Sequence, residues 1–249
     1  GDALVRNLAG DLTLQSGISA QAIDLVTAGA LQNAAGATLT AANGWRIWAS
    51  SWVGETRGGL AGNGALPNLY GCSFNGACAA TAPAAGGNYF IYQQQPTAII
   101  VIGNATREYG LANPAFTYSI TGGVLGDGQG SVATGTPTSA ATIGSNVGAY
   151  SITGNFISPA GYALQFAPGT LRITPATLVF TADEMLRYFG FGNPDFTGTF
   201  SGFRNGDTLQ SVFGGEVNIY SPAEPTSLIG YFPIYASGTA LNYVIQQAP

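Results

Sequence analysis

Apolar and polar positions alternate in short bursts through residues 1–44, where Leu12-Thr13-Leu14, Ile23-Asp24-Leu25-Val26 and Ala37-Thr38-Leu39-Thr40 are separated by Gly17, Gly29 and Gly36. Each burst is too small to bury its own face, so the pattern predicts rungs of a β-solenoid that stack on one another. The competing element is an amphipathic helix over residues 20–34, since Ala and Leu favour helix. Gly29 and the lack of a charged face weigh against it. Residues 45–96 change character. Trp45-Arg46-Ile47-Trp48-Ala49-Ser50-Ser51-Trp52 reads as a strand with aromatic side chains on both faces, and a Gly-rich connection over residues 58–64 follows it. The segment closes on another strand pattern, Asn88-Tyr89-Phe90-Ile91-Tyr92-Gln93-Gln94-Gln95-Pro96, which is echoed at the end of the chain by Asn242-Tyr243-Val244-Ile245-Gln246-Gln247-Ala248-Pro249.

From residue 97 onward the pattern repeats. Tyr109-Gly110-Leu111-Ala112-Asn113-Pro114-Ala115-Phe116 returns as Phe189-Gly190-Phe191-Gly192-Asn193-Pro194-Asp195-Phe196. In the same register Thr117, Gly122, Gly126 and Asp127 reappear as Thr197, Gly202, Gly206 and Asp207. Asn146-Val147-Gly148-Ala149-Tyr150-Ser151-Ile152 parallels Leu228-Ile229-Gly230-Tyr231-Phe232-Pro233-Ile234, and Gly161-Tyr162-Ala163-Leu164-Gln165-Phe166-Ala167-Pro168 parallels residues 242–249.

What recurs is strand and turn chemistry. Pro holds its own φ and pushes the residue before it out of the helical region, so Asn-Pro marks a turn. Thr117-Tyr118-Ser119-Ile120-Thr121 is β-prone, with Tyr118 and Ile120 on one face. Asn205-Gly206-Asp207 carries a hairpin-type turn signal. Ile99-Ile100-Val101-Ile102 reads as a strand buried on both faces, and Thr177-Leu178-Val179-Phe180-Thr181 is its second copy. The expected organisation is solenoid rungs over residues 1–44, an aromatic transition segment over 45–96, a first module over 97–175 and a second over 176–249. Nothing in the second module corresponds to the closing strand at residues 169–174 of the first, which leaves two readings: the sequence stops short of that strand, or the module keeps a strand edge open for assembly.

Composition narrows the chemistry. The chain has 7 basic residues, all Arg, and 12 acidic ones, with no His and a net charge of −5. A Ser-His or Cys-His dyad is therefore impossible, as is the usual zinc site. Without Lys there is no Schiff base and no Walker-type phosphate cradle, and so few cations leave no electrostatic footprint for nucleic acid. The 37 Gly and 13 Pro suit a turn-rich β protein. No apolar run approaches the length of a membrane span. The opening Gly1-Asp2-Ala3, with neither initiator Met nor signal peptide, is expected to begin a mature or excised portion of something longer.

Candidate sites are few. Cys72 and Cys78 are expected to close a disulfide around the turn-prone Asn75-Gly76 in an oxidising compartment, the alternative being a pair of reduced thiols. Trp45, Trp48, Trp52 and Tyr70 are the candidates for stacking on sugar rings, although such residues more often cap a core. Glycosidase chemistry needs paired carboxylates. Adjacent Asp183 and Glu184 would face opposite ways on a strand, and Asp127 and Asp207 read as backbone-capping turn residues. The acids are too scattered for a calcium site. Asn104-Ala105-Thr106 fits a glycosylation sequon. No catalytic, metal or cofactor-binding residue is expected, and the chain reads as a non-enzyme.

The repeat motifs Tyr109–Tyr118, Gly126-Asp127, Val147–Tyr150 and Tyr162–Ala176 resemble the bacterial MBG domain of the YGX type. The second copy departs from that pattern, with Phe189 for the Tyr, Gly198 for Tyr118 and no closing strand. Upstream, residues 29–41 resemble the last rungs of filamentous-haemagglutinin-type exoproteins, and Trp45-Arg46-Ile47-Trp48 resembles the aromatic segment that ends their β-helix. The resemblance implies an all-β chain, the end of a β-solenoid followed by an aromatic segment and two tandem small β-modules of Ig-like or β-grasp-like kind. It also implies export by two-partner secretion to the bacterial surface and a structural role in adhesion, assembly or biofilm matrix. Expected partners are other copies of the chain or a surface or matrix polysaccharide; a glycan-binding module is the second reading.

Overall fold

Ile23 and Leu25 point inward while Asp24 and Val26 stand at the half-exposed face, the two-residue period that makes Ile23–Thr27 a strand with one packed side. Strands of this kind dominate the computed structural model, which describes residues 1–81 and 83–248 and places 40% of residues in strand against 4% in helix. In chain order they are β1 (Ala3–Asn7), β2 (Leu12–Thr13), β3 (Ile18–Ala20), β4 (Ile23–Thr27), β5 (Leu31–Gln32), β6 (Leu39–Ala41), β7 (Trp45–Ala49), β8 (Asn68–Tyr70) and β9 (Tyr89–Tyr92). The first repeat contributes β10 (Thr97–Ile102), β11 (Ala105–Glu108), β12 (Tyr118–Thr121), the short helix α1 (Gln129–Val132), β13 (Thr134–Ser139), β14 (Gly148–Ile157), β15 (Ala163–Ala167) and β16 (Gly169–Thr174). The second contributes β17 (Ala176–Ala182), β18 (Gly198–Ser201), α2 (Leu209–Phe213), β19 (Asn218–Tyr220), β20 (Tyr235–Ser237) and β21 (Tyr243–Gln247). No helix among the described residues is long and apolar enough to cross a membrane.

The amino-terminal part is a coil of parallel rungs. Ala3 lies opposite Ile23 and Ile23 opposite Trp45, while β2 pairs β5 and β3 pairs β6, again in parallel. The segment read as a possible helix over residues 20–34 is instead β4 and β5, because each turn finds its hydrogen-bond partners in the turns beside it. Register also sets the polar ladders: Asp24 and Arg46 are cross-rung partners and form an ion pair at 2.7 Å. Asn33 is buried in a turn of the coil, yet its side chain accepts from Ala37 N and donates to Ala37 O and Arg57 O at 2.8, 2.9 and 3.0 Å. Satisfying both its donors and its acceptor is what makes that burial tolerable.

Contacts divide the chain into two compact units, residues 1–102, 118–137 and 153–168 in the first and residues 103–117, 138–152 and 169–249 in the second. The first unit holds the parallel sheet and the three-stranded sheet β12-β10-β15, and its core includes Leu25, Ile47, Tyr70, Phe90, Val132 and Tyr162. β10 is not buried on both faces as its sequence suggests. Ile100 and Ile102 are packed, but Ile99 and Val101 face solvent because only one side of that small sheet is covered. In the second unit β17 repeats the arrangement, antiparallel to β18 and parallel to β21. Asn205-Gly206 does form a tight turn with both φ values positive, but it leads into α2 rather than back into a strand. Helix α2 is closed at its start by a Thr208–Ser211 capping box and at its end by left-handed Gly214.

Candidate functional site

Each repeat contains one carboxylate held by tyrosine hydroxyls. In the first, Leu125 and Gly126 take φ of 54° and 76°, and the backbone of Asp127 folds back to donate to Val124 O at 3.0 Å. Asn205 and Gly206 do the same at 55° and 77°, with Asp207 N donating to Arg204 O at 2.8 Å. This turn aims each Asp side chain at the strand that follows β14 or β20 in the chain. Asp127 accepts from the Tyr162 hydroxyl at 2.6 Å, the Tyr70 hydroxyl at 2.7 Å and Asn68 Nδ2 at 2.7 Å. Asp207 accepts from Tyr243 at 2.6 Å and Tyr109 at 3.0 Å. These Asp residues are not mere backbone caps, as the turn pattern alone suggests. Their oxygens are the acceptors for buried hydroxyls that would otherwise lie unpaired.

The two clasps are built alike. Tyr162 stands just before β15 and Tyr243 is the first residue of the equivalent β21, and their hydroxyl oxygens also accept from Val124 N at 3.0 Å and Arg204 N at 2.9 Å. The other tyrosine comes each time from an earlier Tyr-Gly pair, Tyr70-Gly71 for Asp127 and Tyr109-Gly110 for Asp207. Its ring packs edge-on against the strand tyrosine, with centroids 4.9 Å apart for Tyr70–Tyr162 and 5.4 Å for Tyr109–Tyr243. Gly110 must be Gly, since its φ is +76° and an added Cβ would lie 2.4 Å from that of Arg204. Burial first, and then the bond to the carboxylate, push Tyr162 and Tyr243 up to about 12. Tyr70 is raised further for the same reasons.

A second polar cluster feeds into the first clasp. Arg57 donates to Glu55 at 2.6 Å, to Asn68 Oδ1 at 2.9 Å and to the Tyr92 hydroxyl at 2.7 Å, while its guanidinium lies 3.8 Å above the Phe90 ring. The Tyr92 hydroxyl in turn donates to Glu55 at 2.8 Å. Asn68 therefore bridges this cluster to Asp127. Burial raises Tyr92, partly offset by the adjacent Arg57 charge.

The Asn of each Asn-Pro turn also has a task. Asn113 Nδ2 donates to Ala141 O and Asn193 Nδ2 to Ala223 O, both at 2.7 Å. Arg107 donates to Asn113 and to the Thr142 carbonyl, and Arg187 likewise reaches the Glu224 carbonyl at 2.6 Å.

Among the sugar-stacking candidates, Trp45 is 3% exposed and Tyr70 fully covered, so both rings belong to the core. Half-buried Trp52 packs against Tyr70 and Tyr92. Half-buried Trp48 donates to Asp24 at 2.9 Å and meets Phe74 edge-on, and these two rings line a surface depression of about 210 Å³ with Asn7, Thr27, Ser50 and Gln93. Cys72 and Cys78 are joined in a disulfide. Asp183 accepts from Thr197 Oγ1 at 2.6 Å and Glu184 stays exposed, so the two do not converge. Among the described residues no cluster of three or more Cys, Asp or Glu is placed to hold a metal ion. Exposed Asn104 accepts from Thr170 N at 2.8 Å.

The clasp escaped sequence reading because its members lie far apart in the chain. The available signal was the Tyr-Gly pair at residues 70–71, which matches that at residues 109–110 but sits upstream of the visible repeat. No curated protein and no solved structure matches the chain. Residues 98–172 and 178–249 each match the MBG domain (YGX type). With more than half of its length in these two matches, the chain belongs to the MBG domain (YGX type) family, domains typical of bacterial surface proteins.

Proposed function

We propose that this chain is a non-catalytic, structural part of a secreted bacterial surface protein of the filamentous-haemagglutinin, two-partner-secretion kind, acting in adhesion, assembly or biofilm matrix. The observation that carries this reading is the recurring clasp. A tyrosine from an earlier stretch and an Asp from the following repeat share one part-buried hydrogen-bond centre, and the same device ties the aromatic segment at residues 68–70 to the first repeat. Such a device resists separation of successive modules and needs no ligand. A disulfide and MBG domains also fit a secreted or surface protein. The partners are further copies of the chain, met through unpaired strand edges, or a surface or matrix polysaccharide.

Display on a non-adherent bacterium tests it. Cell–cell aggregation or retained biofilm mass should rise over a strain lacking the chain and fall back with Asp127→Ala plus Asp207→Ala. Equal aggregation with and without the chain would sink the proposal. A second reading, glycan binding, draws on the Trp48–Phe74 depression. It requires saturable saccharide binding that Trp48→Ala abolishes while the fold persists.

A further inference from the structure

The face of the parallel sheet opposite Ile23 and Leu25 is only partly covered. Arg6, Val26 and Trp48 stand side by side on it in register. The loop between Cys72 and Cys78 folds over this row. Its Phe74 ring meets Trp48 edge-on with centroids 5.5 Å apart, and the Arg6 guanidinium lies 5.6 Å from the centre of the same ring. Beside the two rings is the depression of about 210 Å³, with Val26 among its lining residues. Two rings and an aliphatic side chain give it an apolar corner.

The polar groups of the depression are of two kinds. Asn7 and Thr27 are spent within the protein, Asn7 Nδ2 on Asp11 O at 2.6 Å and Thr27 Oγ1 on Gly10 O at 2.7 Å. Ser50, Ser73 and Gln93 have side chains without a protein hydrogen-bond partner among the described residues, which leaves two hydroxyls and an amide for a ligand. None of the lining residues is charged. The Asp24 carboxylate next to Trp48 is already paired, accepting from Trp48 Nε1 at 2.9 Å and from Arg46 at 2.7 Å. An apolar corner bordered by uncharged donors and acceptors fits a ring with a C–H face and a hydroxyl edge, which is an uncharged pyranose. The volume is below the roughly 300–1,000 Å³ of a pocket for a drug-sized ligand, so it suits one sugar unit rather than a run of them.

Phe74 owes its position to the bridge. Buried Cys72 donates its N–H to Tyr92 O at 3.0 Å, which anchors one end of the loop to β9, and the disulfide ties exposed Cys78 back to it. Between them, Asn75 at φ 58° and the bonds from Ser73 N to Ala77 O and from Gly76 N to Ser73 O, both at 3.0 Å, shape the turn that carries Phe74. Opening the bridge leaves the far end to backbone hydrogen bonds such as Ala79 N to Gly71 O at 2.9 Å. Residues 75–79 are exposed, so water competes for those bonds.

We propose that the depression beside Trp48 and Phe74 binds one uncharged pyranose unit of a polysaccharide, and that the Cys72–Cys78 bridge holds the Phe74 wall and thereby sets the affinity. This rests on the glycan-binding reading and adds to it the sugar class and the oxidised state that binding needs.

The test screens the oxidised chain on an array of neutral and acidic oligosaccharides and titrates each hit by calorimetry, with circular dichroism on every sample. The expected result is saturable binding of a neutral oligosaccharide, weakened by about tenfold or more in Phe74→Ala, in Trp48→Ala and in the chain reduced with dithiothreitol below its unfolding midpoint. Binding confined to acidic sugars would overturn the sugar class. Neutral binding lost in Trp48→Ala but unchanged by Phe74→Ala and by reduction would overturn the bridge-held wall; either result leaves the glycan-binding reading standing. An array without a single hit would overturn both.

Discussion

Replacing Asp127 by Ala removes the acceptor for three donors at once, the hydroxyls of Tyr70 and Tyr162 and the amide of Asn68. All three residues are buried, so water cannot readily take over. A stranded buried donor costs about 1–3 kcal/mol. Tyr162 is the cheapest, because its hydroxyl can still donate to Val124 O, 3.5 Å away. Asn68 keeps its bond from Arg57 through Oδ1 and loses only the amide contact. Half-exposed Asp127 leaves a site that some water can enter, which places the total at about 3–5 kcal/mol. That is a large share of the roughly 5–15 kcal/mol by which a domain is stable. All three Trp fall within residues 45–52, and Trp52 lies 5.3 Å from the Tyr70 ring, so Trp fluorescence in a urea titration reports on the first unit. The decisive comparison adds Tyr70→Phe and Tyr162→Phe to the Asp127→Ala background. With donors and acceptor both gone, much of the loss should return, because the penalty belongs to stranded groups. A loss under about 1 kcal/mol for Asp127→Ala, or effects that simply add, would refute the clasp as a stabilising centre.

Alkali should act on the same centres. Tyr162 and Tyr243 are pushed up to about 12 in the folded chain from 10.0 when unperturbed, so the folded state binds more protons between those values. Their contribution is complete below pH 10 and is lost as pH rises toward 12, and a Tyr162→Phe, Tyr243→Phe variant should show a shallower fall of melting temperature with pH over that window. Leu125 sits at φ 54° where the second repeat has Asn205, so Leu125→Asn should raise stability by about 0.5–1 kcal/mol in urea titration, while Leu125→Val should lower it. Reduction of the Cys72–Cys78 bridge, which spans a sequence separation of 6, should cost about 2 kcal/mol, read as a lower unfolding midpoint with dithiothreitol than without.

Much of the fold was legible because strand chemistry is local. The two-residue alternation in residues 23–27 and 45–49 dictates strands wherever a partner lies alongside, and the repeated Asn-Pro and Gly-Asp elements dictate turns in both copies. Residues 20–34 were ambiguous for the complementary reason: Ala-rich sequence satisfies either state, and only the neighbouring rungs choose. The disulfide was readable from one short loop. β10 misled, since four consecutive aliphatics do not reveal that one face of a small sheet lies open to water.

The sequence by itself determined that this is a β protein with a doubled module and without the residues for His- or Lys-dependent chemistry. Those properties depend on composition and on neighbours in the chain. Only the tertiary structure decided that Asp127 and Asp207 are tyrosine acceptors, that Trp45 and Tyr70 are interior, and that Leu186, Tyr188 and Ile229 of the second repeat are exposed. Each of these depends on what packs beside a residue from a distant part of the chain, and hydrogen bonds and burial are set by that neighbour in space.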